Sequence, residues 1–478
     1  MSSIDKSWKM VIGLEVHVQL NTKTKMFSFS DWGYGESPNT QICPLTLGYP
    51  GTLPTINASA VEKGIIIGLA LNCSINQNTK FSRKHYFYPD LPKGYQISQF
   101  EDPLCENGYI SIENGKKINI VRAHLEEDAG KTIHTIEGDA LIDYNRAGAP
   151  LLEIVSGPDI ESPLEAIAYL NYLKETIIAL NASDCNMEKG NLRVDLNISV
   201  MKDGDAELGT RREVKNVNSF RNVEKAINYE FDFQCNILEK GEVIKQETLL
   251  WDDKQMRTHS IRTKEDAHDY RYFPEPDIPP LKISDKLINE IKRSIPKLPH
   301  EVRKDLLTYK LNSEQVDFLI NNKDILEYFK SMLLDNPKNP IKYYNWVTIE
   351  VVKYLKETSK SIDLFPINPN ELKELVDIEI EGEVDHSQAK KIFLSMIKTG
   401  DSAKSIFNNM GYDKKENHND MEAFIKSIFD QFPDEYSRLL SGEEKLINFF
   451  MGNIMKESKG KFSPSNITAH LKEIISSK

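Results

Sequence analysis

The chain has 478 residues, 40% of them hydrophobic, which at roughly 150 residues per domain is enough for about three folded units with a core each. Lys and Arg number 60 against 72 Asp and Glu, and the net charge of -12 argues against a broad hold on nucleic-acid phosphates, so any such contact must be a local patch. The longest apolar run, GIIIGLAL near residue 64, falls far short of the ~20 residues that span a bilayer.

MSSIDKSWKM has neither the apolar core of a secretory signal nor an Arg-rich amphipathic start, so a cytoplasmic setting without membrane contact is expected. Up to about residue 280, alternating runs between turn residues predict strands at MVIGLEVHVQL, KINIVRAHL, LLEIVS and RVDLNISV. PLEAIAYLNYLKETIIAL predicts a helix, with Ser162 as N-cap and Pro163 at the first helical position. The first part, 1–283, is therefore α+β with a mixed or antiparallel sheet. It closes on FPEPDIPPLKIS, where Pro274, Pro276, Pro279 and Pro280 forbid a helix or an interior strand. From 284 to 412 the pattern is all-α: Leu287, Ile288 and Ile291 share a face, Ser313 can cap a helix carrying Val316, Leu319 and Ile320, and YYNWVTIEVVKYLK is another helix. A helix stop at Gly411 and the polar GYDKKENHND set off a small all-α tail, 413–478.

The first strand places Ile12, Leu14, Val16, Val18 and Leu20 on one face and Glu15, His17 and Gln19 on the other. Alone, that polar row is equally a solvated strand face. HLEEDAGK adds His124, Glu126, Glu127 and Asp128 at a strand end, where carboxylates also serve as ordinary turn residues. Glu153 is more informative, because it interrupts the apolar run LLEIV and a buried carboxylate needs a cation or hydrogen-bonded partners. Carboxylates with one or two histidines describe a hard-cation site of the Mg²⁺ type, which also accepts substrate phosphates. The cysteines, Cys43, Cys73, Cys105, Cys185 and Cys235, form no CxxC pair and offer neither a disulfide framework nor a four-thiolate zinc site. AGKT ends like a Walker A motif, but Leu125 stands at its first glycine; GYGESP lacks the third glycine of a dinucleotide fingerprint; GxSxG and HExxH are absent. Lys84 and Lys93 lie in FSRKHYFYPDLPKGYQISQ, which is too rich in Tyr, Phe and Pro for an ordinary loop, although lysines among aromatics also occur as solvated heads on buried stems.

Taken together, IGLEVHVQL, YPGTLP, SRKHYFYPDLPKGYQISQ, HLEEDAGK, DYNRAGAPLLEIVS, REVKNVNSF, DYRYFPEPDIPPL and MGNIMKESKGKFSP resemble, in order and over nearly the whole chain, the B subunits of tRNA-dependent amidotransferases (GatB). The resemblance implies an activating cradle domain over 1–283, a helical domain over 284–412 and a tRNA-binding tail over 413–478. It implies ATP and Mg²⁺ as cofactors, an amidase-type A subunit and a small C subunit as partners, and as substrate glutamate misacylated on tRNA(Gln) or, in some organisms, aspartate on tRNA(Asn). The family pattern implies metal ligation at His17, Glu127 and Glu153, with Glu15 and Glu126 close enough to share the site, and an ammonia path along Lys84, Lys93 and Glu127. In the tail it points to Lys456, Lys459 and Lys461 around Gly460 as a tRNA patch, whose bland alternative is a solvated helix end. The chain departs from the family at CPLTLGYPG, where Thr46 replaces the second thiolate of a CPxC motif, so a structural zinc is not expected. A tRNA-binding scaffold without activation chemistry is the competing reading. A free-standing glutaminase would need the Gly/Ser-rich amidase signature, which is missing.

Overall fold

The computed structural model describes residues 8–263, 270–334, 336–410, 418–441, 443, 445–458, 467–471 and 474. The chain divides into two compact units, Met1–Glu301 and Val302–Lys478.

The first unit is built on a nine-stranded sheet ordered Arg257–Thr263, Glu247–Asp252, Arg212–Val217, Leu192–Lys202, Trp8–Gln19, Pro150–Ser156, Lys117–Glu127, Cys105–Ser111 and Ser74–Ile75. Neighbours are antiparallel except Arg212–Val217 with Glu247–Asp252, so the sheet is mixed. The strands predicted from alternation lie side by side at its centre. Their apolar face, including Leu14, Val16, Val18, Leu125, Leu152, Ile154, Val194 and Leu196, joins one core with residues of the helices Ala58–Ala70, Pro163–Ala179 and Phe220–Glu239. Each Leu or Ile buried there contributes about 1.5–3 kcal/mol. GIIIGLAL is part of the first helix, and its glycines set the distance: a Cβ on Gly64 would stand 2.6 Å from Leu104 Cδ2. In the second helix Ser162 accepts from the Glu165 amide at 3.2 Å and Pro163 opens the first turn.

A small sheet, Phe273–Pro274 beside Ser82–His85 beside Tyr95–Ser98, brings the Lys84 and Lys93 segments to the Glu126 end of the main sheet. The Pro-rich stretch is therefore docked: Pro274 stands opposite Ser82 at a sheet edge and Leu281–Lys282 pairs with Asn78–Thr79. The helix Asp285–Ser294 packs against Ala58–Ala70, and its Ile291, followed by Leu298, enters the first core. By packing, that helix joins the first compact unit, because its apolar face finds its partner there.

In the second unit one apolar cluster runs from Val302 to Phe407 and another gathers Met421, Ile425, Ile428, Phe429, Leu439, Phe450, Ile454, Ile467 and Leu471. The described elements are helical throughout. The cap expected at Ser313 is made one residue earlier: Asn312 is extended and accepts from the Gln315 amide, while the Gln315 side chain returns to the Asn312 amide. YYNWVTIEVVKYLK is helical but widens into a π segment over Trp346–Val351. Among the described residues no helix is long and apolar enough to cross a membrane.

Candidate active site

Strand register assembles the site. On neighbouring strands Arg193 stands opposite His17, His17 opposite Glu153, and Glu153 opposite His124, a row across the sheet at the ~4.8 Å strand spacing. Glu15 is paired with Asp195, and Glu126 stands opposite Leu151. Because side chains alternate, the apolar residues that fix each strand onto the helices also fix these polar ones onto the opposite face. There they line a cleft of about 640 Å³, shared with Lys84, Tyr270 and Tyr272.

His17 Nε2 lies 3.3 Å from Glu153 and 3.8 Å from Glu126; His124 Nε2 lies 3.5 Å from Glu153 and 3.8 Å from Glu126. Burial opposes an imidazolium at His17, but its bond to Glu153 and the charge of Glu153 and Glu126 outweigh it and lift the group to about 9. Burial dominates at His124 and lowers it to about 4, which keeps it neutral; its Nδ1 is buried without a partner. Glu153 also suffers from burial, yet His124, His17 and Lys84 around it hold it below the usual carboxylate range. Glu126 is pushed up to about 7 by burial and then by the charge of Glu153. These are two carboxylates in one environment with opposite shifts.

His17, Glu126 and Glu153 each offer a ligand atom within 4.8 Å of the others, a set that fits a hard divalent cation. Glu15, Asp195 and Glu213 form a second such group, bridged by Lys215, whose Nζ lies 2.6 Å from Asp195 and 2.7 Å from Glu213. The structure thus groups Glu126, not Glu127, with His17 and Glu153. One step along the strand, Glu127 faces the other way, where it pairs with Lys93 and accepts from the Ile97 amide at 2.8 Å. The two lysines separate in the same manner. Lys84 stands in the cleft, its Nζ 4.8 Å from the Tyr270 ring centre, whereas Lys93 lies behind it with Glu127. Asp128 binds Arg193 at 3.0 Å and Gln19 at 2.9 Å. Against burial, Arg193 and then Arg146 hold it low.

Sequence reasoning passed over Arg193, Asp195, Glu213 and Lys215. Alternation in RVDLNISV already places Arg193 and Asp195 on one face; the missing information is which strand lies next to the first. Near the YPG turn, the Thr46 hydroxyl stands 3.2 Å from Cys43 Sγ. In the tail Lys456 is exposed in the last turn of Leu446–Glu457, while Lys459 and Lys461 lie outside the described residues.

Residues 10–289 match the family described as the GatB/GatE catalytic domain, and residues 327–475 match the GatB domain. The chain is similar to the aspartyl/glutamyl-tRNA(Asn/Gln) amidotransferase B subunit of Thermodesulfovibrio yellowstonii, 44% identical over 98% of this chain and 99% of that one. It is similar to the proteins of the same name from Thermoanaerobacter pseudethanolicus, at 43% identity, and Coxiella burnetii, at 44%, each over 98% of this chain and 99% of theirs. Over almost its full length, then, the chain belongs to the family of amidotransferase B subunits, GatB.

Proposed function

We propose that the cleft is where this component of a tRNA-dependent amidotransferase activates the side-chain carboxylate of Glu misacylated on tRNA(Gln), or Asp on tRNA(Asn). The γ-phosphoryl group of ATP passes to that carboxylate, ADP leaves, and ammonia released from glutamine by a partner subunit displaces phosphate to give the amide. A carboxylate is a poor electrophile, and the acyl phosphate supplies its leaving group. The observation that carries the reading is the convergence of His17, Glu126 and Glu153, with Lys84 and Arg193 beside them, in one cleft.

His17, Glu126 and Glu153 would hold Mg²⁺, with Glu15, Asp195 and Glu213 available for a second ion. Bound there, Mg²⁺ would offset the charge gathered around the transferring phosphoryl group. The chain's own part is placement. Lys84 and Arg193 bring fixed positive charge to where phosphate oxygens must collect. Glu126, raised to about 7, can hold a proton until a cation displaces it. His124, neutral and buried beside Glu153, adds bulk but no charge to the site. Lys93 and Glu127, paired behind the strand, would line the path by which ammonia enters. Residues 1–283 would form the activating domain, 284–412 the helical domain and 413–478 the tail, whose Lys456, Lys459 and Lys461 would meet tRNA phosphates, with an amidase-type A subunit and a small C subunit completing the enzyme.

The test is Glu153→Gln in the assembled enzyme. ATP-dependent acyl-phosphate formation should be abolished while tRNA affinity survives, and wild-type phosphorylation by the variant would remove Glu153 from the site.

A further inference from the structure

The motif REVKNVNSF brings Glu213 and Lys215 to the cleft, and Asn216 lines the same cleft beside them. Regular alternation would send Asn216 to the core face together with Val214. The strand bulges instead: Val217 stands opposite Val194 but Val214 opposite Leu196, so Lys215 and Asn216 together face the single residue Asp195. Val214 and Val217 both stay buried, and the two residues between them turn toward the cleft. Asn216 makes that turn in the left-handed region (φ +65°), which few side chains besides those of Asn and Asp enter. Pairing with Glu247–Asp252 stops at Lys215, so Asn216 stands exposed past the last rung. The two neighbours differ in what they have left to offer. The Lys215 ammonium is taken up by Asp195 and Glu213. Asn216 Oδ1 accepts from Asn218 Nδ2 at 3.2 Å, whereas its own Nδ2 donates to nothing among the described residues.

We propose that Asn216 is a nucleotide-binding residue, its side-chain amide donating to the nucleoside end of ATP. The proposal rests on the function proposed above and deepens it. From the strand of Glu153, Pro150–Ser156, the sheet runs through Trp8–Gln19 and Leu192–Lys202 to Arg212–Val217, three steps of ~4.8 Å and so roughly 14 Å. An ATP whose γ-phosphoryl group lies at His17, Glu126 and Glu153, with its other phosphates near Arg193, reaches that far only with its nucleoside. There the chemistry changes to match: a neutral amide N–H suits ribose or base atoms, while phosphates call for the fixed charge of Arg193 or Lys84. A backbone preference alone would also place an Asn at this φ. Asn107 has that same backbone (φ +55°) in the strand Cys105–Ser111 and lies outside the cleft, which makes it the control.

The experiment uses Asn216→Gly, which keeps the left-handed backbone and removes only the amide, beside Asn107→Gly. Initial rates of amidation by the assembled enzyme are measured against ATP and, separately, against misacylated tRNA. Asn216→Gly should raise KM for ATP about tenfold, the loss of one polar contact, with kcat, KM for tRNA and the thermal midpoint near wild type. Asn107→Gly should change none of them. An unchanged KM for ATP in Asn216→Gly would overturn the proposal and leave Asn216 as a residue suited only to its backbone; a rise in KM for tRNA instead would overturn the choice of ATP. Wild-type enzyme that consumes no ATP on misacylated tRNA would overturn the function proposed above, and the contact with it.

Discussion

Glu153 and Glu379 carry the same sequence signal, a carboxylate inside an apolar run, LLEIV in one unit and LVDIEI in the other, yet their surroundings differ in kind. Glu379 is finished: Trp346 Nε1 at 2.7 Å, His386 Nδ1 at 3.0 Å and Lys342 Nζ at 3.2 Å all approach its oxygens. That knot ties three helices together, and nothing in it asks for another ligand. Glu153 is unfinished. It shares two imidazoles with a second buried carboxylate, Glu126, and one of those imidazoles keeps a bare nitrogen. Burial of a carboxylate marks a constraint; only the balance of its partners distinguishes a brace from a binding site.

Matched substitutions should separate the two carboxylates by the largest effect. Glu153→Gln should lower amide formation at least about a thousandfold, several kcal/mol of lost charge stabilisation, with little loss of stability because it also removes a like charge from Glu126. Glu379→Gln should leave the specific activity of folded enzyme near wild type and cost about 1–3 kcal/mol in denaturant melts, since Lys342 and His386 lose their anion. The reverse pattern would exchange the roles of the two carboxylates.

The separation of the two lysines gives a second, smaller effect. Lys84 stands among the carboxylates of the cleft, so Lys84→Met should reduce glutamine-driven and ammonium-driven amidation alike, by about tenfold. A loss confined to glutamine would return Lys84 to the ammonia path, where the family resemblance puts it.

The smallest effect concerns stability and pH. Burial lowers the Lys25 amine from 10.5 to about 8, so between those values the unfolded chain binds more protons than the folded one. The cost to folding is complete below about 8 and disappears as pH rises through 10.5. Lys25→Met, which also strands the Tyr144 carbonyl, should therefore be about 1–2 kcal/mol more stable than wild type at neutral pH, with the advantage lost in alkali. Parallel urea melts across that range check the sign.

Much of this architecture was legible. Alternation in the first strand gave its two faces, and with them the side on which Glu15 and His17 stand, while the apolar run LLEIV singled out Glu153. What alternation could not supply is lateral order, and so Asp195 and Glu213 went unnoticed although their own strands display them. Glu126 and Glu127 show how much one position along a strand decides. Adjacent residues in a strand face opposite ways, so Glu126 lines the cleft while Glu127 turns to Lys93 behind it. The helix Asp285–Ser294 shows a further limit: its apolar stripe was evident, but a stripe does not say which core it will join.

The most direct measurement is anomalous diffraction from crystals of the assembled enzyme soaked in Mn²⁺. A peak is expected at roughly 2.1 Å from His17 Nε2 and from oxygens of Glu126 and Glu153. A peak on Glu127, or none in the cleft, would contradict it.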